Sequence, residues 1–213
     1  KNILKELNNI NQLHIQMDGY TIDNKTIKFR FFFNESLDNY DEILSNCEIV
    51  VFGYSFNKPI KYLPNSLTHL TFGGEFNQSV VLPNSLTHLT FGSEFNQSVV
   101  MPNSLTHLTF GDDFNQVVLL PNSLTHLTFG EKFNQVVLLP NSLTHLTYHA
   151  HFNKNIELSE NLALIKMYDP TIEIVEKIPN SVKELCIRFN YNYNNAFRLD
   201  NLPNSIEKLE IYC

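Results

Sequence analysis

Apolar and polar positions recur through the middle of this chain with a period of 19 residues. The stretch from residue 64 to residue 73 reads P-N-S-L-T-H-L-T-F-G. Further copies, almost letter for letter, begin at Pro83, Pro102, Pro121 and Pro140. Self-similarity at so short a period is typical of a solenoid, in which each unit packs only on its neighbours.

The apolar positions within one unit predict its path. Leu70 and Phe72 alternate with polar residues, as in a strand with one face inward. We expect Gly73 to permit a turn geometry that other residues resist. We also expect Val80 and Leu82 to point inward on a second extended segment before the next proline. Nineteen residues are too few for two strands and a full helix, so the pattern predicts little helix.

The repeat pattern also predicts how the chain is divided. Residues 1–48 do not follow the repeat cleanly and are interpreted as an N-terminal cap with degenerate coils, in which residues 26–31 alternate as a strand does. Residues 49–213 are interpreted as the solenoid, with Val50 and Phe52 in register with Leu70 and Phe72. The signature weakens after residue 153. The whole is expected to be a single continuous domain.

The string L-P-N-S-L-T-H-L-T-F-G-x-x-F-N resembles the FNIP repeat, a relative of the leucine-rich repeats, over roughly residues 49–213. The resemblance implies a mainly β, right-handed parallel solenoid with coils of about 19 residues. FNIP repeats are associated with social amoebae and giant DNA viruses and often follow an F-box. The resemblance therefore implies a protein-binding array, such as the substrate-recognition part of a ubiquitin-ligase adaptor, although residues 1–48 contain no convincing F-box.

Composition narrows the function classes. The net charge of −7 disfavours nucleic-acid binding, which needs clustered lysine and arginine. No apolar run approaches the length of a membrane span. Cys47, Cys186 and Cys213 are far apart and indicate neither a disulfide framework nor a zinc site, so we expect a cytoplasmic protein, in the host cytoplasm if viral. No phosphate-binding glycine loop or nucleophile elbow is present, and we predict no enzymatic activity and no cofactor.

The most regular candidate site is a pair of polar columns that should face away from the core. The histidine column and the threonine column are expected to contact a protein partner. Their members are His69, His88, His107, His126 and His145, and Thr71, Thr90, Thr109, Thr128 and Thr147. Metal binding and pH sensing are further readings of five adjacent imidazoles. The alternative is that duplication copied an innocuous polar residue. Protonation of all five should weaken the fold below about pH 6.

Two weaker polar patterns lie beside these columns. An H-x-H pair, formed by His149 and His151 and preceded by His145, resembles part of a metal site. The replacement of the Phe-Gly pair by Tyr-His at this point more simply marks the end of the uniform array. Turn residues form an acidic rim that would prefer a basic partner, or is merely solvated. The rim consists of Glu75, Glu94, Asp112, Asp113 and Glu131.

The last pattern is apolar. If Val80 and Leu82 face inward, their neighbours face outward and form a stripe across four coils. The stripe contains Val81, Val100, Leu119 and Leu138, joined by Val117 and Val136. Exposed contiguous apolar area usually marks an interface, so the stripe predicts self-association or a ligand strip. The alternative is a shifted register with these side chains half-buried between coils.

Together these patterns predict a non-catalytic protein-protein interaction scaffold that binds its partner through the strand face. One alternative is a structural rod, a homo-oligomer that self-associates through the apolar stripe. Another is a product of duplication with no fixed partner.

Overall fold

The computed structural model describes residues 19–149, 156–170, 172–189 and 202–212. Within them one 11-stranded sheet runs in sequence order from β1 to β11. The strands are β1 (Tyr20–Asp23), β2 (Thr26–Phe29), β3 (Ile49–Val51), β4 (His69–Thr71), β5 (His88–Thr90), β6 (His107–Thr109), β7 (His126–Thr128), β8 (His145–His149), β9 (Leu164–Tyr168), β10 (Glu184–Arg188) and β11 (Lys208–Tyr212). Two single-turn helices, α1 (Asp41–Leu44) and α2 (Ile172–Val175), complete the described elements.

The sheet is parallel except at its N-terminal edge. β1 and β2 form an antiparallel hairpin, and the turn between them places Asn24 at φ 51°. From β2 onward every neighbouring pair is parallel. Identical letters of successive copies pair with each other, so that His69 lies beside His88 and Leu70 beside Leu89. The chain is therefore a mainly β solenoid, as the repeat predicts.

The core lies between the sheet and the second extended segment of each coil. Leu70 and Phe72 are buried, and so are their equivalents in the other copies. Within a coil the rings of Phe72 and Phe76 stack at 3.8 Å, and Phe72 stacks on Phe91 of the next coil at 5.5 Å. Two continuous columns of phenylalanine therefore fill the interior. Burial of each side chain contributes about 1.5–3 kcal/mol before conformational entropy is subtracted.

A column of asparagines connects the turns that follow the strands. The side-chain oxygen of Asn77 accepts hydrogen bonds from the backbone N–H of Asn96 and the side-chain amide of Gln97, both at 3.0 Å. The same pair of bonds recurs at the next two asparagines of the column, Asn96 and Asn115. These bonds satisfy turn amides that would otherwise be left unpaired.

The physical reason expected for Gly73, a turn geometry that other residues resist, is wrong. Positive φ among the described glycines occurs at Gly19 only. A Cβ built on Gly73 would instead lie 2.1 Å from the carbonyl oxygen of Gly53 in the preceding coil. Gly92 and Gly111 meet the coil before them in the same way, at 1.9 and 2.1 Å. Glycine is required here because two backbones approach too closely for any side chain.

The coils at the two ends of the parallel sheet are longer than those of the uniform array. Ile27 pairs with Val50, which is 23 residues further on, and this coil contains α1. Strand β2 confirms the alternation over residues 26–29, whereas Phe31 lies beyond the strand and is exposed. The pairing of Val50 with Leu70 confirms the register proposed for β3. The assignment of residues 1–48 to a separate cap stays a prediction, and residues 1–18 lie outside the described part of the chain.

Candidate functional site on the strand face

The histidine column forms a stack of five parallel imidazoles. Neighbouring rings are 4.0–4.1 Å apart between centroids and inclined by 11–14°. The inward Leu70 and its equivalents fix this outward orientation, because side chains alternate across a strand. Each ring is half-buried against its neighbours, with one edge towards solvent.

A second threonine column holds each ring in place. The hydroxyl oxygen of Thr87 lies 2.9 Å from Nδ1 of His88 and 3.0 Å from the carbonyl oxygen of Thr68 in the preceding coil. The same two contacts recur in all five coils, at 2.8–2.9 Å to Nδ1 and 3.0–3.2 Å to a carbonyl oxygen. The members of this column are Thr68, Thr87, Thr106, Thr125 and Thr144.

This network assigns the tautomer of the histidines. A hydroxyl has a single hydrogen, and only one arrangement makes both of its short contacts hydrogen bonds. The threonine hydroxyl donates to the carbonyl oxygen, and Nδ1–H of the histidine donates to the hydroxyl oxygen. In the neutral ring Nε2 then carries a lone pair. The strand face therefore presents a row of hydrogen-bond acceptors, one for each coil.

Stacking keeps the middle rings neutral. Burial lowers the pKa of His88, His107 and His126, and the charges of neighbouring histidines lower each of these pKa values further. Burial also lowers the pKa of His145, where Glu184 acts in the opposite direction and Lys166 in the same direction. The rings of His88, His107, His126 and His145 are therefore mostly neutral near pH 7.

The geometry gives no support to a metal site in this row. Parallel stacked rings direct their Nε2 lone pairs side by side instead of towards one point. Among the described residues no group of three or more His, Cys, Asp or Glu side chains could hold a metal ion. His149 belongs to the same face of β8 and stacks on Tyr168 at 4.2 Å. His151, the third member of the H-x-H pattern, lies outside the described residues.

The acidic rim follows the strands at the next turn. Glu94, Asp112 and Glu131 are exposed, while Glu75 and Asp113 are half-buried. Lys132 pairs with Asp113 at 2.7 Å, and the lysine side chain is largely in solvent. The rim thus places negative charge at the turns after the strands, beyond the threonine column that begins with Thr71.

The apolar stripe is fully on the surface. Val81, Val100, Leu119 and Leu138 expose 83–88% of their area. Val117 and Val136 expose 70% and 65%. The alternative in which these side chains are half-buried between coils is therefore wrong, whereas Val80 and Leu82 pack partly against the core.

The sequence analysis missed the threonine that precedes each histidine. Thr68 and its equivalents repeat as strictly as the histidines do, and this regularity was the available signal. Their role was not visible because it depends on a carbonyl group of the preceding coil, 19 or 20 residues earlier.

The fold and this face define a repeat scaffold similar to leucine-rich-repeat proteins, a class consistent with a non-catalytic interaction role. The FNIP repeat model matches residues 33–75, 56–94, 76–100, 95–132, 114–147 and 173–213. The chain therefore belongs to the FNIP repeat family.

A solved structure described as CroV588, a novel circular LRR protein structure from a giant virus, is similar to this chain. The two share 34% sequence identity with a TM-score of 0.57. The similarity covers 92% of this chain and 41% of CroV588, so this chain spans less than half the length of that protein. A search of curated proteins finds no significant match. In the described part of the chain, neither helix has the length and apolar character needed to cross a bilayer.

Proposed function

We propose that this chain is a binding scaffold whose strand face captures a protein partner rich in hydrogen-bond donors. The observation that carries the proposal is the pair of short contacts of each threonine hydroxyl, which favours the tautomer with a hydrogen on Nδ1. That tautomer leaves Nε2 of His88, His107 and His126 as aligned acceptors. The threonine column from Thr71 to Thr147 borders these acceptors on the same strands and adds hydroxyl groups.

The charge around the row favours a basic partner. The acidic rim supplies negative charge at the turns beyond the threonine column, and lysine and arginine side chains carry donors and no acceptor. A partner segment with several such residues would satisfy both features. By analogy with its family, the chain serves as the substrate-recognition part of a ubiquitin-ligase adaptor in the cytoplasm.

The test is affinity capture from the native cell with identification of the retained proteins, using three forms of the chain. The first is the native sequence, and the second carries His88→Leu, His107→Leu and His126→Leu. Leucine is chosen because Leu164 occupies the equivalent position in β9. The third form, a matched control, carries Asn65→Ala, Asn84→Ala and Asn103→Ala at exposed turn positions of the same repeat.

We expect a basic protein to be retained by the native and control forms and lost by the leucine variant. The same protein should be released at pH 5.5, because protonation of Nε2 turns each acceptor into a charged donor. Equal retention by all three forms would contradict the proposal. Co-purification of ligase scaffold components would support the adaptor role.

A further inference from the structure

The apolar stripe has the size of an interface and is not a scatter of single exposed residues. Its six side chains offer on the order of 500 Å² of apolar surface, at about 60–120 Å² for each Val or Leu. The largest apolar patch on a typical monomer is about 300–600 Å², and a standard interface buries about 800 Å² of each partner. With about 500 Å², the stripe supplies more than half of the area that one copy contributes to such a contact.

The surface around the stripe is free of charge. Residues 76–93, 95–111, 114–130 and 133–149 contain no Asp, Glu, Lys or Arg, although the chain carries a net charge of −7. Two copies of this chain therefore repel each other on most faces and can approach without like charges on this one.

A recess lies between two coils, in the half of the stripe that contains Val117 and Val136. It has a volume of about 420 Å³ and lies between the exposed side chains of Leu119 and Leu138. Val117 and Val136 form part of its wall. Apolar side chains therefore line a concave surface on this flank.

A comparison of equivalent turns identifies the residues at the two ends of the stripe. Leu67 N–H donates to the Pro64 carbonyl, and Leu162 N–H donates to the Ser159 carbonyl in the same kind of turn. In the four central coils, the residue two positions before each turn belongs to the stripe. Tyr62 holds it before the stripe and Glu157 holds it after, and both are exposed.

We propose that this flank binds a second copy of the chain in an antiparallel pair related by a two-fold axis between Val100 and Leu119. Val100 of each copy then lies against Leu119 of the other, and Val81 against Leu138. The Tyr62 hydroxyl of each copy faces the Glu157 carboxylate of its partner and donates to it. A parallel pair would instead place the two Glu157 carboxylates together, which is repulsive.

The first test is sedimentation equilibrium of the chain across a concentration series. We expect a dimer that Leu119→Ser with Leu138→Ser weakens by roughly 100-fold or more, because the apolar contact is lost twice. Thermal unfolding of this variant measured at low, monomeric concentration should match the native chain, because both side chains are already exposed. Ile22→Ser with Leu209→Ser, two exposed apolar positions away from the flank, should leave dimerisation unchanged.

The second test fixes the orientation. Tyr62→Glu should weaken the dimer by roughly tenfold or more, because two carboxylates then face each other at each end. Adding Glu157→Lys to Tyr62→Glu should restore dimerisation in the antiparallel pair, since opposite charges now meet. In a parallel pair the double variant would stay as weak as Tyr62→Glu, because like charges still meet at both ends.

Three results would overturn the proposal. They are a monomer at every concentration, a dimer that the serine pair leaves intact, and a double variant that dimerises no more tightly than Tyr62→Glu alone. Capture of a different protein by this flank in a monomeric chain would also overturn it. None of these results bears on the strand face, which is tested separately by the leucine variant.

Discussion

The central strands and the C-terminal strands of the same sheet differ in length and in chemistry. Strands β4 to β7 have three residues each, whereas β8 to β11 have five. In the central coils a glycine follows the phenylalanine, and its backbone lies against the preceding coil. In β8 the corresponding residues are Tyr148 and His149, and the ladder continues through both. The residue at this one position, glycine in the central coils and His149 in β8, therefore determines how long the strand is.

The outward columns differ as well. The central coils repeat neutral histidine and threonine, whereas the C-terminal coils mix charged and aromatic residues. Lys208 bridges Glu184 at 3.6 Å and Glu210 at 3.0 Å, and Arg188 lies over the rings of Tyr168 and Tyr212. The C-terminal face thus pairs much of its own charge. The central face keeps a uniform row of acceptors, and this difference is why we assign partner binding to the central coils.

The largest expected effect is at the glycine that ends the central strands. Gly111→Ala would place a Cβ 2.1 Å from the Gly92 carbonyl oxygen and 2.7 Å from Cα of Ser93. Because both are backbone atoms, neighbouring coils must separate, and we expect a loss of about 3 kcal/mol in the free energy of unfolding, measured in urea. The matched control is His149→Ala, at the equivalent position of β8, which should cost less than about 1 kcal/mol. Equal costs at the two positions would contradict the stacking argument.

An intermediate effect is expected from acidification. The folded pKa of His88, His107 and His126 lies below the unfolded value of about 6.5, owing to burial and then to neighbouring histidines. Below pH 6.5 the unfolded chain therefore binds protons more readily, and stability present above that pH is lost as the pH falls through the folded pKa values. The melting temperature should fall between pH 7 and pH 5.

A variant that lacks the three central histidines is the control for this pH effect. The triple variant His88→Gln, His107→Gln and His126→Gln should flatten the profile, with the remaining slope set by groups such as His145 with Glu184 and Lys166 beside it. A constant melting temperature of the native chain over this range would contradict the prediction, because protonation of the stacked rings would then not destabilise the fold.

The smallest effect concerns the C-terminal face. Arg188 lies 4.9 Å from the centre of the Tyr212 ring and 5.8 Å from that of Tyr168. Arg188→Ala should cost about 0.5–1 kcal/mol in unfolding free energy, while Arg188→Lys should recover part of the loss. Partner capture by the central face should not change in either variant. A loss of capture would show that the two regions act as one surface.

The sequence predicted the repeating part of the fold because each coil packs mainly on its own copies. The spacing of Leu67, Leu70 and Phe72 was enough to place the strand and its register. The role of Gly73 could not be derived in the same way, because it depends on the distance between two backbones. The threonine–histidine pairs were missed for a similar reason, since the hydroxyl acts on a carbonyl group of another coil. Helix α1 was missed because it lies in a coil of 23 residues, where the 19-residue pattern gives no guide to the additional residues.

The account depends most on the protonation of the histidine rings, and nitrogen NMR of the imidazoles measures it directly. At pH 7.5 we predict that Nδ1 is protonated and Nε2 unprotonated in His88, His107 and His126. Signals from the opposite tautomer in these three residues would contradict the hydrogen-bond network and, with it, the row of acceptors on the strand face.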